Sequence, residues 1–159
     1  MNRDTNKKLA FTRDLRYLCN MATTTKKGFT VKVTSDYAGW WRYNVALMAG
    51  CFDAEDRQTE FVTAGSHAAD VGAELKEPPA GIAPGRKITL TTAPCDHLLL
   101  YLYIIPHTLP PTNEIDETQP FDVELTIAYE GRRVSKTTRR INQWSGASVE
   151  MRVEKEDAR

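Results

Sequence analysis

From residue 29 onward, apolar and polar side chains alternate with a period of two, the pattern of strands whose two sides meet different surroundings. Phe29, Val31 and Val33 share one side of the run 29–34. A longer run, 41–52, sets Tyr43, Val45, Leu47, Ala49 and Cys51 against Ala46, Met48 and Phe52, which predicts a central strand. Shorter strands are predicted over 59–63, around Phe61 and Val62, and over 87–92, where Ile88 and Leu90 alternate with polar neighbours. The stretch 97–105 is apolar on both sides and reads as a central strand buried on both faces, stopped by Pro106. Phe121, Val123, Leu125, Ile127 and Tyr129 form a half-buried strand. Glu130-Gly131 supplies the tight turn of a hairpin, 132–141 returns, 142–146 turns again, and 147–154 closes the chain through Val149, Met151 and Val153.

Many short strands separated by turn residues, with no helices between them, predict an all-β domain: an antiparallel two-layer β-sandwich of about seven to eight strands spanning 26–155. Ahead of it, Phe11, Leu15 and Leu18 have helical spacing behind Thr12, so residues 1–25 read as an N-terminal arm or short helix. Met21 opens a second plausible chain start, which places residues 1–20 outside the core. Residues 65–86 carry four glycines and three prolines, leaving room for no more than a short helix near 68–75. That long loop and a second over 107–119 are the irregular parts.

Composition narrows the class. The chain has 159 residues with 41% apolar and 26% charged side chains, ordinary for one globular domain. No apolar run is long enough for a transmembrane helix, and the start lacks the apolar core of a signal peptide, so a cytoplasmic location is expected. Three cysteines, Cys19, Cys51 and Cys95, fit neither a disulfide framework nor a paired metal motif. Net charge is zero but segregated: nine basic and three acidic residues over 1–50, four and thirteen over 51–124, eight and five over 125–159. Such segregation can steer a partner or a second copy.

Two places invite a binding reading. In 132–140, Arg132, Arg133, Lys136, Arg139 and Arg140 crowd one strand. Strict alternation puts Arg133 and Arg139 on one side and Arg132, Lys136 and Arg140 on the other, so neither side is a core face. The strand is exposed at an edge or protrudes as a ribbon, either as an anion or partner site or simply protected by charge against sheet-to-sheet aggregation. Trp144, in the neighbouring turn, joins this candidate partner surface. The second place is Tyr37, Trp40 and Trp41, a platform for stacking on a sugar, or else aromatics that plug the end of the sandwich. Alternation puts Trp41 with Tyr43 and Trp40 opposite.

No catalytic set, metal or cofactor is assigned. His67, His97 and His107 are too scattered for a ligand motif, and the acidic loops around Asp53–Asp56 and Glu114–Glu117 lack an EF-hand pattern. Ser66, His67 and Asp70 lie too close in sequence for a nucleophile, base and orienting acid. Nothing aromatic interleaves the basic strand, so nucleic acid is not the expected partner. The sequence thus predicts a non-catalytic interaction or assembly module that binds a protein or a second copy of itself. A carbohydrate-binding sandwich, or one binding calcium or anionic lipid, is the alternative.

Overall fold

The computed structural model describes residues 26–158; the arm or helix expected over 1–25 lies outside the described residues. Eight strands follow in order: β1 Phe29–Thr34, β2 Tyr43–Phe52, β3 Gln58–Ser66, β4 Ile88–Thr91, β5 His97–Pro106, β6 Phe121–Tyr129, β7 Arg132–Ile141 and β8 Ala147–Glu154. They form two four-stranded sheets, ordered β4-β1-β6-β7 and β3-β2-β5-β8. All ladders between strands are antiparallel. The expected two-layer sandwich is therefore the architecture of the described residues. No helix among them is long and apolar enough to cross a membrane.

Alternation builds the core. Phe29, Val31 and Val33 of β1, Tyr43, Val45, Leu47 and Ala49 of β2, Leu98, Leu100, Leu102 and Ile104 of β5, and Phe121, Val123, Leu125 and Ile127 of β6 all point between the sheets and are buried. Each valine, leucine, isoleucine and phenylalanine among them contributes about 1.5–3 kcal/mol by leaving water. The strands supplying most of this core, β1 with β6 and β2 with β5, are the central pairs of their sheets.

Three expectations need correction. First, β5 is central but not buried on both faces. Its odd-numbered side, with Leu99 and Tyr101 half-buried and Tyr103 and Ile105 exposed, looks away from the core. A two-layer sandwich has no third layer to cover it. Second, β3 is longer than its apolar residues suggested, running to Ser66, because its backbone pairs with β2 as far as Val45. Third, 67–87 contains turns and no helix. Asn44 holds the start of this loop, donating from Nδ2 to the Ala69 carbonyl at 2.7 Å and accepting from the Ala68 amide at 2.7 Å. The Gly72 amide donates to the His107 carbonyl at 3.0 Å.

The two long sides of the sandwich differ. Edge strands β3 and β4 lie against each other. On the other side an open cleft of about 1070 Å³ runs between β7 and β8, lined by Val134, Lys136, Met151 and Arg152 among others. At the β6–β7 turn, Glu130 (φ 47°) and Gly131 (φ 82°) both adopt positive φ, the backbone a two-residue hairpin requires.

One-sided burial of β5 has a direct consequence. Leu102→Ala, at a core position, should lower unfolding free energy by about 2–5 kcal/mol, whereas Ile105→Ala on the outward side should cost less than about 1 kcal/mol in dilute solution. Urea denaturation of both variants checks this.

Candidate functional site

Four places on this scaffold concentrate chemistry. The first is the end of the sandwich where β2 begins. Residues Trp40–Arg42 make a turn of 3-10 helix, so strict alternation fails there and Trp40 and Trp41 do not take opposite sides of a strand. Trp40 is fully buried and Trp41 nearly so. Tyr37 is half-buried and stacks on Phe121, with ring centroids 4.3 Å apart. Phe121 also meets Trp40 and Tyr43. These aromatics fill the end of the core, and neither indole presents a face to solvent for a sugar.

Polar groups tie this plug together. The Tyr43 hydroxyl donates to the Gln143 carbonyl at 2.8 Å, the Tyr37 hydroxyl to Gln143 Oε1 at 2.9 Å, and Gln143 Nε2 to the Gln119 carbonyl at 2.7 Å. Burial, with Tyr37 beside it, pushes the Tyr43 phenol well above its ordinary range. Arg86, at the end of the long loop, lies over the Trp40 ring at 5.4 Å. Its guanidinium donates to the carbonyls of Trp40 and Tyr43, and its own carbonyl accepts from Trp40 Nε1 at 3.1 Å. Burial lowers the Arg86 pKa, and its Nε has no partner among the described residues. His107 completes the set: Nε2 donates to the Trp41 carbonyl at 2.8 Å, and Nδ1 faces the Thr108 hydroxyl at 2.9 Å. Burial lowers the His107 pKa, opposed by the bond to Trp41. Sequence reading passed over Arg86 and weighed His107 only as a metal ligand, because each lies in a loop, far in sequence from the residues it holds.

The second place is the basic strand. β7 is an edge strand, as expected, and its cations are exposed. Lys136 pairs with Glu124 at 2.8 Å and Arg140 with Asp122 at 3.8 Å, both across to β6. Lys136 holds the Glu124 carboxyl below the usual range. Arg132, Arg133 and Arg139 have no ion pair among the described residues. A bulge opposite Ile127/Ala128 shifts the register, so Arg133 stands beside Ala128 and Arg132 beside Tyr129. That shift moves Arg133 off the side it was expected to share with Arg139. Trp144 is 37% exposed, in a turn held by Asn142 Oδ1 accepting from the amides of Trp144 and Ser145.

The third place is a charged cluster at the opposite end. His97 is buried and stacks flat on Phe52, with Nδ1 3.3 Å from Asp96 and Nε2 3.1 Å from Asp56. Ligand atoms of Asp96, His97 and Glu154 come within 4.8 Å of one another. Each of these carboxylates already faces a cation: Lys155 lies 2.8 Å from Asp96, and Arg152 lies 2.5 Å from Glu154. Lys155, then His97, keeps the Asp96 pKa low. The cluster is an internally compensated ion-pair network and gives no reason to assign a metal. His67 and Asp70 form a solvent-exposed pair at 3.4 Å.

The fourth place is the outer face of the β3-β2-β5-β8 sheet, which sequence reading missed as a surface. Register aligns Phe61 of β3, Gly50 of β2, Leu99 of β5 and Arg152 of β8 in one row. The next row is Thr63, Met48, Tyr101 and Glu150, and the next Gly65, Ala46, Tyr103 and Ser148. Phe61 is 55% exposed, Ile105 41% and Tyr103 39%. The outer face of the other sheet carries instead Thr30, Lys32, Thr89, Glu124, Thr126 and Lys136. The signal was available in the second apolar side of 97–105, once two layers were assumed.

No protein-family model matches the chain, and no curated protein matches it. Among solved structures it is similar to a domain of unknown function, DUF4425, from Bacteroides vulgatus, with 6% identity, covering 81% of this chain and 97% of that one, at a TM-score of 0.40. It is also similar to a DUF4425 family protein from Bacteroides ovatus, with 6% identity, covering 79% and 92%, at a TM-score of 0.33. Neither likeness bears on function.

The buried His107 sets a pH dependence. Its pKa is lower folded than unfolded, so the unfolded chain binds the extra proton first as pH falls. Stability from this residue is full above about 6.5, the ordinary histidine value, and declines as pH drops below it. Thermal melts from pH 7.5 to 5 should show that decline, and His107→Gln should flatten the slope even if it lowers the melting temperature throughout.

Proposed function

We propose that this chain is a non-catalytic assembly module that self-associates through the outer face of the β3-β2-β5-β8 sheet. The supporting observation is the contrast between the two outer faces. One is polar and charged, as a solvated sheet face should be. The other lines up Phe61, Met48, Leu99, Tyr101, Tyr103 and Ile105 across three adjacent strands. Contiguous apolar patches of this kind mark interaction surfaces, and the apolar cores of homodimer interfaces have the same character. A second copy of the face supplies the matching apolar surface, with Glu150 and Arg152 at the β8 margin as a polar rim.

The basic β7 strand has a weaker claim as the main contact. Two of its five candidate cations are already compensated by β6, and exposed charge on an edge strand opposes uncontrolled pairing. Trp144 remains available at that side.

Salt separates the two surfaces. Contact through apolar side chains persists at high ionic strength, whereas contact through exposed arginines weakens. Sedimentation velocity from low to high micromolar concentration should give a monomer–dimer equilibrium that survives high salt. Phe61→Lys combined with Tyr103→Lys should weaken it at least ~10-fold, and Arg133→Glu combined with Arg139→Glu should leave it unchanged. A monomer at every concentration, or a dimer indifferent to the lysine pair, would overturn the proposal.

A further inference from the structure

Cys51 and Cys95 are the two described cysteines, and both are free thiols. Cys51 lies near the end of β2, pointing into the sandwich and fully buried. Cys95 lies in the connection between β4 and β5, half-buried against the core. The Asp96 amide donates to the Phe52 carbonyl at 2.8 Å, which pins residues next to each cysteine to one another. Cys51 also stands opposite Leu98, three residues beyond Cys95, and the two thiols approach closely enough to perturb one another's ionisation. They are 44 positions apart in sequence, so the contact is made by the fold.

We propose that Cys51 and Cys95 are an oxidation site, a dithiol that closes to an intramolecular disulfide when the chain meets a small-molecule disulfide such as oxidised glutathione. Cys95 is the entry point because it is the more exposed of the two. Its thiolate attacks one glutathione sulfur, the glutathione S–S bond breaks, and one glutathione thiolate leaves. The Cys51 thiolate then attacks the Cys95 sulfur and releases the second glutathione. The two protons lost by the protein end on the two glutathione thiols. Two electrons pass from the protein to the oxidant, so the step balances without another reactant.

The environment sets the rate. Burial, with the neighbouring thiol and Glu60 adding to it, pushes the Cys51 thiol up to about 12. Burial also raises Cys95, partly offset by hydrogen bonds from Cys51, Thr92 and the Phe52 backbone. Since the thiolate is the nucleophile, exchange is slow at neutral pH and speeds up with alkalinity. The bond would tie the end of β2 to the β4–β5 connection, against which β1 also begins, with the Gly28 amide donating to the Thr92 carbonyl at 2.9 Å. This inference does not depend on self-association.

The test uses the full chain with Cys19→Ser, so that the third thiol cannot interfere, held in glutathione buffers from reducing to oxidising. Under oxidising conditions both thiols should disappear from a denatured thiol titration. A non-reducing digest should then yield one linked peptide pair joining 51 to 95 on a monomer. The melting temperature should rise by roughly 10 °C, reversed by dithiothreitol, as expected for a cross-link closing a loop of this length. Oxidation should run about tenfold faster per pH unit between 7 and 9. Adding Cys95→Ser, a change at the more exposed position, should abolish the rise and the linked peptide. Two thiols surviving in oxidising buffer, a persistent glutathione adduct on Cys95, or a bond between two chains would each overturn the proposal.

Discussion

A strand has two sides, and a sandwich of two layers can bury only one side of each strand. That constraint organises this protein. Where both sides of a strand are apolar, the fold has to leave one outside. β1 and β6 present this difficulty little, because Lys32, Asp122 and Glu124 occupy their outward positions. β2 and β5 present it fully, since Ala46, Met48, Leu99, Tyr101, Tyr103 and Ile105 have nowhere inside to go. The two sheets therefore share a core but meet their surroundings differently. The assembly reading follows from that difference and requires no bound group or reactive centre.

The ends of the sandwich are closed by different physics. At one end, aromatic rings are packed edge and face around Phe121, and Arg86 brings the long loop back over Trp40. A half-buried guanidinium there donates to the Tyr43 carbonyl at the start of β2 and to the Trp40 carbonyl, which also accepts the Tyr43 amide. Carbonyls of this kind are costly to bury unpaired, which explains an arginine where an apolar residue would pack more simply. At the other end, His97 and three carboxylates are compensated by Arg152 and Lys155. Exposed pairs of this type add little stability individually, but they fix where the chain turns between strands.

Much of the fold was legible in the sequence because antiparallel strands write their burial into alternate positions. β1 is recovered residue for residue, as are the β6–β7 hairpin and the inward side of β2. The errors share a cause. Alternation reports which residues are on the same side, but not which side has a neighbour, so 97–105 read as doubly buried. Period-two reasoning also assumes an uninterrupted ladder. It failed at Trp40 and Trp41, where the backbone coils, and at Arg133, where a bulge inserts a residue. Contacts between loops and distant strands, such as Arg86 with Trp40 or Cys95 with Cys51, have no local signature, because side-chain chemistry alone does not encode which loop returns to which end.

The unequal long sides of the sandwich carry a mechanical consequence. Along β3 and β4 the two layers are stitched, while along β7 and β8 they gape. Each of those gaping strands is hydrogen-bonded to a single neighbour. Fluctuations that pry the layers apart therefore start on that side, like a book opening from its fore-edge, with the stitched side as its spine. Amide protons of β7 and β8 should therefore exchange with solvent ahead of those in β2 and β5, with the row of core residues nearest β3 and β4 as the hinge of such breathing.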